Sequence, residues 1–359
     1  MADPIIGSLL MGWDTLYSYL SQHVLTCLVP AFFIAGGIAA FLKKEAILKY
    51  FSPEAKKSTA YGIASVSGTV LAVCSCTILP MFAGILKKGA GIGPAFTFLY
   101  AGPAINILAI VYTANVLGLD LGFARAVVAV FSAIAIGLIM AWLFRSEEQA
   151  AKRGGVGAPR SDTEPCEVAR PRWVVPLFFA LLVGVLLVAT SGFIDVTLRL
   201  FIVYFLTLGV AVLLIYYFTR DEVTIWGLET WDLTKKIFPL LIGGTFALGV
   251  LAFFLPPETF QPFFGSNSLI SCFLAAVVGA ILYMPTLLEV PIIGTTLGYL
   301  SGVMAKGPAL SLLLSGPTIS LPSLLVIYRV VGGKKTAVYA ALVIVFATGG
   351  GFLFGALGL

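Results

Sequence analysis

Two cysteines one residue apart, Cys74 and Cys76, stand in one of the most apolar stretches of the chain, VCSCTILP over Val73–Pro80. On a regular helix they would point about 200° apart. In an extended or bent segment they could converge on one soft acceptor, such as Cu(I), Zn or a trivalent arsenic-like centre, once the thiols ionise or exchange a proton. Ser75 between them, Thr77 after them and Pro80 closing the run are poor residues for a plain lipid-facing helix. The stretch therefore reads as a broken segment carrying two thiols and two hydroxyls at one depth. A redox dithiol is the lesser option, because the spacing is Cys-X-Cys and not the thioredoxin-like Cys-X-X-Cys.

A second candidate is Glu289, in MPTLLEVP. An acid inside an apolar segment is costly and is by default a functional group, often a proton relay; the bland alternative is an interfacial carboxylate at a hairpin end. Asn106 and Ser320 each follow a Gly-Pro break and offer polar groups at matching positions. Ser315, Thr318 and Ser323 are weaker candidates that can bond to backbone within their own helices. Cys27 and Cys272 read as packing residues, since a free cysteine behaves as a small hydrophobe. Cys166 sits in a polar loop, and five cysteines so distributed are no disulfide framework. His23 has no paired His or carboxylate and gives no metal signal.

The elements that must position these groups span a membrane. Of 359 residues 59% are hydrophobic and 11% charged, against roughly 25% charged in a soluble domain. Long apolar runs predict helices over Val24–Leu42, Pro94–Asn115, Gly122–Phe144, Trp173–Ile194, Leu200–Phe218, Ile237–Leu255, Pro308–Ile327 and Thr336–Leu357. The runs are too long, and too free of alternation, for barrel strands. Two more, Thr59–Leu86 and Ser268–Leu300, are interrupted and predict re-entrant hairpins. The first twenty residues hold Asp3 and Asp14 but no base, so no signal peptide is expected; Trp13, Tyr17 and Tyr19 suggest an interfacial segment.

Basic residues set the orientation. If Thr59–Leu86 turns back near the Cys-Ser-Cys bend, 19 of the 22 lysines and arginines fall on the cytoplasmic side, and only Arg125, Arg199 and Lys306 fall outside. Both termini then face outward. The net charge of +5 serves this topology and points to no nucleic-acid partner.

The chain also repeats itself. GPAFTFLYAGPAIN (Gly93–Asn106) aligns without gaps to GPALSLLLSGPTIS (Gly307–Ser320), with seven of fourteen positions identical and both Gly-Pro pairs matched. An odd number of crossings between the copies predicts opposite orientations. The expected fold is all-α and polytopic, with about eight transmembrane helices plus two re-entrant hairpins in two inverted repeats. Residues 1–144 form the first repeat, 145–172 a cytoplasmic linker, 173–218 two linking helices and 219–359 the second repeat. Inverted repeats with Gly/Pro-broken segments mark secondary transporters, whose site lies where the broken helices meet. No phosphate-binding Gly-X-X-X-X-Gly-Lys-Ser/Thr motif appears, and neither a cofactor nor an enzymatic role is expected.

The stretch VCSCTILPMFAGILKKGAGIGPAFTFLYAGPAIN resembles the predicted-permease family to which the organoarsenical permeases (ArsP) belong. The shared marks are a Cys-Ser-Cys followed by proline, a basic KKG turn and a helix ending Pro-X-X-Asn. PTLLEVPIIG and KGPALSLLLSGPTISLPS resemble the family's second repeat, so the likeness covers most of the chain. It implies an inner-membrane, multi-pass permease and, for the characterised branch, efflux of trivalent organoarsenicals such as methylarsenite. Cys74 and Cys76 would then be substrate thiols, with Ser75, Thr77, Asn106 and Ser320 lining the site and Glu289 carrying a proton. Two alternatives stay open: a permease for a sulfur compound or soft metal, and a membrane thiol-redox enzyme. The expected partners are a small thiol-reactive solute and the lipid bilayer; a homo-oligomer is compatible with both.

Overall fold

A computed structural model of the chain describes residues 4–21, 29–41, 57–71, 75–147, 171, 173–190, 195–254, 262–281 and 289–358, and every regular element among them is helical. Three helices are long and apolar enough to cross a bilayer: Leu119–Leu143, Gly333–Leu357 and the stretch ending at Tyr217. Twenty-five residues rise about 37 Å, more than the hydrocarbon core. Shorter apolar helices fill the rest. The chain is a helical membrane protein.

In chain order the helices are α1 (Pro4–Tyr19), α2 (Val29–Phe41), α3 (Lys57–Leu71), α4 (Ser75–Lys87), α5 (Ile92–Ala104), α6 (Ile107–Val116) and α7 (Leu119–Leu143). Then follow α8 (Val174–Thr190), α9 (Val196–Tyr217), α10 (Arg220–Phe254), α11 (Leu269–Ile281), the single turn α12 (Glu289–Pro291), α13 (Lys306–Ser315), α14 (Leu321–Val331) and α15 (Gly333–Leu357). A π-helical turn, Ile292–Thr296, continues α12.

Two expected spans are each divided in two. Pro94–Asn115 becomes α5 and α6, bent by 40° across the break. Pro308–Ile327 becomes α13 and α14, separated by Gly316–Ser320. The cause is local: Pro103 and Pro317 lack the amide a helix needs there. Ser320 and Ser323 then start α14 with reciprocal side-chain and backbone bonds that satisfy its first amides. Ile237–Leu255, expected as one span, is instead the second part of the 35-residue α10. The first part of α10 carries Glu229, Asp232, Lys235 and Lys236.

Close helix crossings build the core. α5 packs on α7 where a Cβ on Gly93 would meet the Gly137 carbonyl at 3.0 Å. α13 packs on α15 in the same way, a Cβ on Gly307 meeting the Gly351 carbonyl at 2.9 Å. The crossing glycines are equally spaced in the two places, and α7 and α15 are both 25 residues long. Around them α3 packs on α5 and α11 on α13. Phe41, Phe178, Phe218 and Trp226 join α2, α8 and α10, with ring centroids 4.7–6.0 Å apart. Helix α9 packs on α8 and leaves Phe201, Tyr204, Phe205 and Ile215 exposed on its outer face. Apolar exposure of that kind is what lipid accepts.

Partly exposed ion pairs tie segments together near the helix ends. Lys87 meets Glu229 at 2.5 Å and Asp232 at 3.7 Å. Lys335 meets Glu147 at 2.9 Å, and Lys306 meets Asp120 at 2.6 Å.

Candidate functional site

The polar node of the core lies where α6, α7 and α12 meet. Gly118 joins α6 to α7 with φ 119°, a left-handed conformation that residues with a side chain rarely adopt. The chain reverses there so tightly that a Cβ on Gly122 would lie 2.6 Å from the Ala114 methyl. This crossing sets Thr113 of α6 beside Arg125 of α7. The Thr113 hydroxyl donates to the Ala109 carbonyl at 2.7 Å, and its oxygen accepts from Arg125 Nη1 at 2.9 Å. The local turn therefore fixes the guanidinium from one side.

Glu289 supplies the other side. Its Oε1 lies 2.6 Å from Arg125 Nη2, and both side chains are fully buried. Glu289 opens α12, which touches α6. The pair meets through one close contact, and Arg125 Nε and Glu289 Oε2 have no hydrogen-bond partner among the described residues. Burying two charges costs several kcal/mol each, repaid only by mutual attraction and good geometry. Such a pair is a weak stability device and an expensive one to keep at this depth.

A hydroxyl pair lies close by: Tyr100 of α5 stands in the field of Arg125 and pairs with Ser132 of α7. Tyr339 of α15 lies behind Tyr100, its hydroxyl without a hydrogen-bond partner among the described residues; its ring packs on Phe96 with centroids 5.1 Å apart. The groove of about 400 Å³ bordered by Leu269, Ile270, Phe273 and Val345 is elsewhere, on an outward apolar face.

Of the residues expected to form a site, Glu289 is buried and faces Arg125. Ser320 is buried and engaged by Ser323 at the start of α14. Asn106 is buried between α5 and α6 and has a partner of its own. Cys74 lies outside the described residues, as do the side chains of Ser75, Cys76 and Thr77, although the backbone from Ser75 is helical. The interruption expected at the cysteine pair falls on residues 72–74, which lie outside the described residues. Cys27 and nearly all of the 145–172 linker lie outside the described residues too. Cys272 is free and buried, its sulfur 3.0 Å from where a Cβ on Gly307 would stand.

Arg125, counted from the sequence among the bases on the outer side, is wholly buried against protein within α7. It lies seven residues past Gly118, and a charge there needs a counter-charge. Glu289 is the matching acid, so charge balance between the two apolar segments was the signal that could have joined them.

A family model described as predicted permease (ArsP_1) matches residues 9–356. The UPF0718 protein MJ0584 of Methanocaldococcus jannaschii is 42% identical over 353 residues, covering 95% of this chain and 94% of that protein. The UPF0718 protein YraQ of Escherichia coli is 25% identical over 274 residues, 76% of this chain and 61% of its own length. No solved structure matches the chain. Matched over almost its whole length, this helical membrane protein belongs to the ArsP_1 predicted permease family.

Proposed function

We propose that this permease exports a soft, thiol-reactive solute, trivalent organoarsenicals such as methylarsenite first among them, by proton-coupled alternating access between two inverted halves. Cys74 and Cys76 hold the solute and Glu289 carries the proton. The observation that carries the reading is in the sequence: two thiols one residue apart, followed by Pro80, fall inside an apolar segment, where irregular backbone survives only against protein or a water-filled path. The matched crossings of α5 on α7 and α13 on α15 support two related halves. The ion pairs support the sidedness, because Lys87 with Glu229 and Lys335 with Glu147 join segments assigned to the cytoplasm. Lys306 with Asp120 joins segments assigned to the outside. Asn106 and Ser320 stand at equivalent junctions between paired short helices and line the path where the halves meet.

A methylarsenite presents two exchangeable hydroxyls, so two thiols suffice to hold it. Each thiol forms a bond the other cannot replace. The test is uptake of methylarsenite by everted membrane vesicles, with and without a pH gradient, at matched expression. Cys74→Ser and Cys76→Ser are each expected to abolish uptake nearly as fully as the double change, while Cys166→Ser leaves it intact. Uptake at the parental rate by the double variant would remove the thiols, and the arsenical with them, from the reading.

A further inference from the structure

Glu289 can carry a proton only if something holds it ionised when the proton has left, and something accepts its partner when the proton returns. Both requirements have candidates within the core. Among the described residues, Arg125 is the charged group that faces Glu289. Around Arg125 stand Thr113 of α6, fixed on Nη1, and the Tyr100 hydroxyl, which pairs with Ser132, with Tyr339 behind.

Resting on the reading of Glu289 as the proton carrier, we infer that Arg125 is its positioning residue: a two-position counter-ion that pairs with Glu289 in one state and turns to the Tyr100 hydroxyl in the other. Thr113 is the pivot. It holds Nη1 in both positions, because its own proton is committed to the Ala109 carbonyl and its oxygen stays an acceptor. In the observed state Nη2 lies against Glu289 Oε1. When a proton adds to the Glu289 carboxylate, the acid becomes neutral and the ionic attraction ends. The guanidinium keeps its charge and needs acceptors. The Tyr100 oxygen, in the field of Arg125 and paired with Ser132, supplies one.

The single contact of the pair fits such a device. A structural ion pair would use the two parallel bonds a guanidinium and a carboxylate can make, whereas this one makes one close contact, Nη2 to Oε1. The exchange also connects elements. Arg125 and Thr113 belong to α7 and α6, Tyr100 to α5, and Glu289 opens the broken turn of the second half. Breaking the pair frees α12 from α7, so protonation is expressed as a loosened contact between the halves.

The test reads the proton on Glu289 directly and needs no transported solute. Purified protein in lipid nanodiscs is titrated while infrared difference spectra follow the protonated carboxylic C=O band, assigned by its loss in Glu289→Gln. The expected result is a band that appears on acidification in the parent chain. Tyr100→Phe removes an acceptor used only in the protonated state, so the band should appear at a more acidic pH, by about one unit, the size of one hydrogen bond to a charged group. Arg125→Gln should leave Glu289 protonated across the whole range, and Arg125→Lys should restore a titration. Arg125→Gln/Glu289→Gln, which carries no orphan charge, controls for folding. A parent titration unchanged by both Arg125→Gln and Tyr100→Phe would overturn the two-position role and leave the proton carrier standing. A parent chain whose Glu289 never titrates would overturn the carrier reading and this inference together.

Discussion

Arg125 and Glu289 are each fully buried and 2.6 Å apart, so their energetics are those of a pair that must be kept or removed together. Removing one partner leaves a bare charge and costs about 3–5 kcal/mol, whereas replacing both by neutral groups of similar size is often close to neutral. Arg125→Met and Glu289→Gln alone should therefore each lower thermal stability in detergent sharply. The double variant should recover most of the loss. Additive losses in a double-mutant cycle would mean that the two charges do not interact. Stability and transport should separate in the double variant: a folded protein without gradient-driven uptake is the expected outcome.

At the scale of elements, the fold depends on backbones that approach within side-chain distance. At the α13–α15 crossing a Cβ on Gly351 would run into the Ser311 side chain and the Gly307 carbonyl. The carbonyl cannot rotate away, so α13 must move. At the α5–α7 crossing a Cβ on Gly137 would lie 2.8 Å from the Gly93 carbonyl and would strike the Thr97 hydroxyl. Gly351→Val and Gly137→Val are therefore each expected to destabilise by about 1–3 kcal/mol or more, measured as lower thermal midpoints and reduced folded yield. Gly62→Ala serves as the contrast, since a Cβ there meets nothing within 4 Å. Equal midpoints for Gly351→Val and Gly62→Ala would remove close packing as the reason for the glycines.

At the scale of the whole molecule, sidedness is the decisive property. Counted from the sequence, a turn back within residues 59–86 leaves only Arg125, Arg199 and Lys306 of the 22 bases on the outer side, the asymmetry expected to set orientation. Lys88 and the linker residue Gly155 should then share the cytoplasmic side. In a chain freed of native cysteines, Lys88→Cys and Gly155→Cys should resist an impermeant thiol reagent applied to intact cells and react after permeabilisation. Modification of either position from outside would place a full crossing at residues 59–86 and discard the re-entrant hairpin.

Membrane class and helical architecture followed from the sequence alone, and the Gly-Pro pairs at which two expected spans divide were visible in it. Apolar run length and proline placement act locally, and no distant contact can supply the amide that Pro103 or Pro317 lacks. The intramembrane acid was equally legible, because a lone carboxylate such as Glu289 is conspicuous among apolar neighbours. Its partner was not. Arg125 and Glu289 are 164 residues apart, and Arg125 begins a long apolar run, where a base reads as an anchor at the membrane edge. Only the crossing of α6 on α7 at Gly122, and the placement of α12 against α6, carried that base inward and set it against the acid. The hydroxyls of Tyr100 and Ser132 joined the node by the same route. Which face of a buried helix meets which neighbour depends on packing among segments that are apolar all round, and such segments carry no periodicity to announce the answer.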